Sequence, residues 1–191
     1  MQQGKLIVFS GPSGCGKSTV VAELCRKNAQ MMPSISATTR APRGNEQHGK
    51  EYFFLKRKEF EAEIADDAFL EYAEVFGNYY GTKWRWLAEE WEKGTWILLD
   101  IDVQGAMQIR EKAGDALLIF IAPPSMEILR QRLENRQTES AEKIQMRLAE
   151  AQRELEFSEK YDAVVINDKL EETVLQIENI LKQRFNNQLT E

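Results

Sequence analysis

Lys5-Leu-Ile-Val-Phe-Ser10-Gly11-Pro-Ser-Gly-Cys-Gly16-Lys17-Ser18 joins a short apolar run to a glycine-rich turn of the pattern G-x-x-x-x-G-K-S. The apolar run predicts a buried central strand. Val20, Val21, Leu24 and Cys25 then mark one face of a helix. Glycines let the turn curl so that successive N–H groups point at phosphate oxygens, and the helix adds its positive end. Lys17 is placed to bridge the β- and γ-phosphates, and the Ser18 hydroxyl to hold Mg²⁺. A chance match in a glycine-bearing turn is the competing account, but strand and helix flank the motif where its mechanism requires them. The expected ligand is a nucleoside triphosphate, ATP, touched by Gly11, Ser13, Gly14, Cys15, Gly16, Lys17, Ser18 and Thr19.

Outward from this loop, apolar runs alternate with helical patterns, the signature of an α/β protein with a parallel sheet. Residues 96–100, 117–122 and 163–166 are further strand candidates. Helices are expected over 104–112, from near Ser125, and over 170–185, where Val174, Ile177, Leu181 and Phe185 share a face. The fold class is α/β: a P-loop three-layer core whose central parallel sheet is flanked by helices, with an inserted unit and a mobile lid. The core is expected at 1–35, 96–130 and 155–191, the insertion at 36–95 and the lid at about 131–154. The stretch 134–145 is so polar that little core is expected from it, and a flap is the natural reading.

Asp100 and Asp102 close the strand over 96–100 and its turn. Carboxylates there can hold Mg²⁺ or its waters, Asp100 being the metal candidate; Asp102 can equally cap the next helix. The 191 residues carry a net charge of −6, which argues against non-specific binding of nucleic acid or anionic membrane. No apolar run approaches the roughly 20 residues of a membrane span, and no signal peptide is visible. Two cysteines (Cys15, Cys25) and one histidine (His48) support neither a disulfide framework nor a zinc site. The cytoplasm is the default compartment.

The inserted region narrows the chemistry. Ser36-Ala-Thr-Thr-Arg40-Ala-Pro-Arg43, Gly49-Lys-Glu-Tyr52-Phe-Phe, Leu70-Glu71 through Gly77-Asn78-Tyr79-Tyr80-Gly81-Thr82, and Leu99-Asp100-Ile-Asp102-Val-Gln-Gly105 together resemble the guanylate kinase family. Order and spacing match across nearly the whole chain. The resemblance implies Mg²⁺-dependent transfer of the γ-phosphoryl group of ATP to GMP, with dGMP as a further candidate acceptor, by a monomer or homodimer. It makes Arg40, Arg43, Tyr52 and Tyr80 the grip on the GMP phosphate, and Ser36, Glu71, Thr82 and Asp102 the guanine readers. It sets Asn167 close to adenine and ribose, and counts Lys17, Arg43, Arg136 and Arg147 as catalytic.

These roles make chemical sense. A phosphate dianion suits guanidinium and phenol donors. Guanine presents N1–H and a 2-amino group side by side to one carboxylate, whereas adenine would leave Glu71 unpaired. Lid arginines would stabilise charge on the moving oxygens and exclude water. Without the resemblance, the Arg- and Glu-rich segment reads as surface i,i+4 ion pairs.

Three departures from the family pattern stand out: Arg136-Gln-Thr-Glu139 lacks the usual lid glycine, Gly44-Asn-Glu46 replaces Pro-Gly-Glu, and Lys83-Trp-Arg-Trp86 is unusually aromatic. The second is expected to loosen the phosphate-binding loop. Trp84, Leu87 and Trp91 are expected in the core, with Trp86 exposed. The rival readings are a non-catalytic guanylate-kinase-like interaction domain, a GTPase, excluded by the missing Asn-Lys-x-Asp motif, and a kinase for another monophosphate.

Overall fold

The computed structural model describes residues 4–135 and 140–185. β1 (Lys5–Ser10) leads through the glycine-rich loop into α1 (Lys17–Lys27), followed by β2 (Met31–Pro33). Next come β3 (Ala37–Thr38), β4 (Phe53–Phe54), α2 (Arg57–Ala65), β5 (Phe69–Val75), β6 (Asn78–Lys83) and α3 (Trp84–Glu92). The chain then returns with β7 (Trp96–Asp100), α4 (Val103–Lys112), β8 (Leu117–Ala122), α5 (Met126–Glu134), α6 (Ala141–Leu155), β9 (Ala163–Ile166) and α7 (Leu170–Arg184).

Five parallel strands form the central sheet in the order β2-β7-β1-β8-β9. Both faces are covered, which is why its strands read as unbroken apolar runs. Ile7, Phe9, Leu98 and Ile119 pack with Val20 and Leu24 of α1 and with Val174, Ile177 and Leu181 of α7. Leu6, Val8, Ile97, Leu99, Leu118 and Phe120 face the other way, onto Leu87 of α3 and Ile109 of α4. Phe9 pairs with Asp100 and Ser10 with Phe120, so the loop after β1 opens beside the carboxyl end of β7. β2 escaped the sequence pattern because three residues are too few to show a period.

The inserted region forms its own sheet, β4-β3-β6-β5, around Phe60 stacked on Phe69 at 4.3 Å and on Tyr79 at 5.2 Å. α3 packs on the central sheet instead, and here the tryptophan expectation is corrected. Trp84 is 41% exposed, while Trp86 and Trp91 pack beside the buried Leu87. The helix begins at Trp84 directly from β6, and its buried row runs through Leu87 rather than through Trp84.

Within the polar stretch 134–145 the core contribution comes from Ile144. α6 starts at Ala141, its Ser140 hydroxyl accepting from the Lys143 N–H, and Ile144 is buried with Leu148 and Ala151 against Leu129 and Leu133 of α5. One isoleucine in phase with later apolar residues suffices to build this two-helix core. Arg136, Gln137, Thr138 and Glu139, including the lid arginine and the missing-glycine departure, lie outside the described residues. No described helix is long and apolar enough to cross a membrane.

Candidate active site

Gly16, at φ +94, ends the loop after β1, and a methyl group there would overlap the Asn167 amide. Only glycine fits that backbone and that space. Lys17 reaches back over the loop, its Nζ donating to the carbonyls of Gly11 at 2.6 Å and Pro12 at 3.3 Å. Gly14 packs toward Leu133 of α5, and Cys15 is fully buried with burial pushing its thiol pKa up. Ser18 and Thr19 lie exposed on the first turn of α1. The Ser18 hydroxyl donates to Asp100 Oδ2 at 2.6 Å, bringing together the two metal candidates.

That hydroxyl–carboxylate pair is a hard-oxygen donor set suited to Mg²⁺, which keeps several waters and takes further ligands from phosphate. Among the described residues there is no group of three His, Cys, Asp or Glu that could hold a metal ion.

Asn167 was expected near adenine and ribose. Its side chain is buried against the loop: Nδ2 donates to Cys15 O at 2.7 Å, and Oδ1 accepts from Thr173 Oγ1 at 3.1 Å. Arg132, left open from sequence, ties the same two segments, its NH2 donating to Asn167 O at 2.8 Å and NH1 reaching Cys15 O at 3.5 Å. Arg147 of α6 donates to Ser13 Oγ at 3.2 Å.

Ser36, Tyr52 and Asp100 line one cavity with Ser34 and Glu51. The Arg40 guanidinium lies 5.2 Å over the Tyr52 ring, with the Tyr80 hydroxyl alongside and the Tyr80 ring 6.3 Å from that of Tyr52. Arg40 grips Glu46 with both terminal nitrogens, each at 3.0 Å, and Glu46 also accepts the Arg43 N–H at 2.7 Å. Those bonds hold the Glu46 carboxyl below its usual pKa. The expected loosening at Gly44-Asn45 is therefore offset, because Glu46 pins the loop at both arginines. The Arg43 side chain is exposed.

Glu71 on β5 is 2% exposed, and Thr82, opposite it on β6, donates its hydroxyl to Glu71 Oε1 at 2.7 Å. Burial raises the Glu71 carboxyl to about 7, Thr82 pulling the other way and Asp102 adding to the rise. Gly105 lets α4 approach, since a methyl group there would overlap Glu71 Oε2. Asp102 caps α4, its Oδ1 accepting from the Gly105 N–H at 2.9 Å. The capping role weighed from sequence is thus present, and burial raises the Asp102 pKa.

Sequence reasoning passed over Glu154. It lies seven residues beyond Arg147 on α6, hence on the same helical face, and that spacing was its one available signal. Burial raises its carboxyl to about 7, Lys17 opposing and Asp102 and Glu150 reinforcing the rise. His48 is structural, its Nδ1 accepting the Phe54 N–H at 3.2 Å.

Residues 3–184 match the family model described as guanylate kinase. A guanylate kinase of Clostridium tetani is 46% identical over 181 residues, 95% of this chain and 86% of that protein. One from Caldanaerobacter subterraneus is 47% identical over 180 residues, 94% and 87% of the two chains. The crystal structure of guanylate kinase from Anaplasma phagocytophilum superposes with a TM-score of 0.78 at 38% identity, covering 96% of this chain and 87% of that one.

Proposed function

The chain belongs to the guanylate kinase family and is an ATP:GMP phosphotransferase, and from that premise we propose how its own residues divide the work. The loop from Gly11 to Thr19 receives the triphosphate of ATP, and Lys17 exchanges the carbonyls of Gly11 and Pro12 for the β- and γ-phosphates. Ser18, with Asp100 behind it, would hold Mg²⁺, which supplies charge neutralisation on the phosphoryl oxygens. Arg40, Arg43, Tyr52 and Tyr80 bind the GMP phosphate and aim its oxygen in line. Glu71, Thr82, Asp102 and Ser36 read guanine. Arg147 and Arg136 of the lid (131–154) cover the transferring group and exclude water, while the insertion (36–95) carries GMP toward the core. Asn167 acts by bracing the phosphate loop.

The reading is carried by one observation: a buried carboxylate, Glu71, sits beside the Thr82 hydroxyl and against Gly105 in the first turn of α4. An unliganded carboxylate in that position is costly, and N1–H with the 2-amino group of guanine would satisfy it. The net charge of −6 supports partners confined to small nucleotides. ADP release with ATP, Mg²⁺ and each of GMP, dGMP, AMP, CMP and UMP tests the assignment. Fast turnover with guanine monophosphates alone is the expected outcome; equal turnover with AMP would remove Glu71 as the reader.

A further inference from the structure

Phe76 and Gly77 form the two-residue loop of the β5–β6 hairpin, since Val75 pairs with Asn78. Both have positive φ, +48° and +78°, as a type I′ turn requires. Asn, Asp or Gly normally fill the first of these positions, because a bulky side chain there is sterically strained. Phe76 is also 59% exposed, so burial does not compensate for the strain. Its ring faces something specific: the Arg147 guanidinium of α6 lies 5.5 Å from the ring centroid. The same guanidinium donates to Ser13 Oγ of the phosphate loop.

We propose that Phe76 is a positioning residue for phosphoryl transfer: its ring seats Arg147, so that the insertion and the lid meet at the arginine that covers the transferring group. A guanidinium over an aromatic face keeps its N–H edges available to oxygen acceptors. The seat therefore restricts the Arg147 fork through the ring face and not through its N–H groups. Strain held at an exposed turn fits a functional role better than a folding one. The inference rests on the assignment of Arg147 to the reaction.

The test is Phe76→Asn, which suits the turn better, with Phe76→Tyr as the conservative variant and Arg147→Ala as the partner of a double-mutant cycle. Single-turnover formation of GDP reports the transfer step without product release. Phe76→Asn is expected to raise Tm by ~2–4 °C. It should slow the single-turnover rate by about threefold to fivefold, as loss of an exposed cation–π contact predicts. KM for ATP and GMP should change by less than about twofold. Phe76→Tyr should restore the rate, and Phe76→Asn should add nothing to Arg147→Ala. A wild-type rate for Phe76→Asn, or the same loss in the Arg147→Ala background, overturns the proposal. If Arg147→Ala itself keeps the wild-type rate, the assignment of Arg147 fails and takes this inference with it. If Arg147→Ala is slow and Phe76→Asn is not, only the seat is wrong.

Discussion

Thr82 donates its hydroxyl to Glu71 at 2.7 Å in a site where Glu71 is 2% exposed, leaving a hydrogen-bonded carboxyl whose pKa burial lifts to about 7. A folded-state pKa above the unfolded value means that the native state holds this proton longer. The contribution of Glu71 to stability is therefore most favourable below about pH 4.5 and is lost as pH rises through about 7, beyond which its penalty is constant.

Glu71→Gln removes that penalty. It is expected to stabilise the fold at pH 8 by about 2–3 kcal/mol relative to its effect at pH 4.5, measured by urea denaturation at both pH values. The same change should lower kcat/KM for GMP by about 10²-fold. In wild type, kcat/KM for GMP should rise through about pH 7 as Glu71 ionises. The variant should retain only the step near pH ~6 that belongs to the phosphate itself. A variant profile identical in shape to wild type would detach Glu71 from guanine.

Lys17→Ala should cut kcat by about 10²–10³-fold or more, the scale for one preorganised charge donor at the transferring group. Its ammonium lies over the Gly11 and Pro12 carbonyls, in the loop proposed to receive ATP, so GMP affinity measured by calorimetry should hold within about twofold. Equal loss of both would contradict the proposed division of labour.

Arg43 and Arg40 should separate. Arg43 is exposed, and Arg43→Ala should raise KM for GMP by about tenfold to a hundredfold with little change in Tm. Arg40 holds Glu46 with a side chain only 10% exposed, so Arg40→Ala should also cost about 1 kcal/mol of stability by freeing the loop. Glu46→Ala, which leaves both arginines in place, should weaken GMP binding if the loop needs its pin.

Asn167→Ala should destabilise the protein by about 1–3 kcal/mol, because the Cys15 carbonyl and the Thr173 hydroxyl both lose a buried partner. KM for ATP should rise while KM for GMP stays put. An effect on ATP without any loss of stability would restore a direct contact with adenine or ribose.

Removal of divalent cations by a chelator is expected to abolish turnover and Mg²⁺ to restore it. Ser18→Ala should raise the Mg²⁺ concentration needed for half-maximal rate by about tenfold, since it removes the hydroxyl paired with Asp100. An unchanged Mg²⁺ requirement in the variant would shift the metal away from Ser18.

The strand–loop–helix from Lys5 to Lys27 was legible in the sequence because every constraint on it is local: an apolar run, glycines at fixed offsets, and helical periodicity. Residues 117–122 and 170–184 were legible for the same reason. The buried row of α3 was not, because three tryptophans within eight residues offer several apolar faces and only the sheet beneath selects one. Nor was α6, whose first turns are polar except for Ile144.

By itself the sequence determined the α/β core and the phosphate loop and singled out the side chains proposed to hold two nucleotides, since motif chemistry depends on residue type and short spacing. Only the tertiary structure decided which groups meet. Glu71 touches Thr82 through strand register and is approached by α4 because Gly105 has no side chain. Asn167 and Arg132 converge on the Cys15 carbonyl from segments 35 residues apart. Arg147 of α6 meets Phe76 of the β5–β6 hairpin. Such meetings depend on chain closure and packing between distant elements, and no local pattern encodes them.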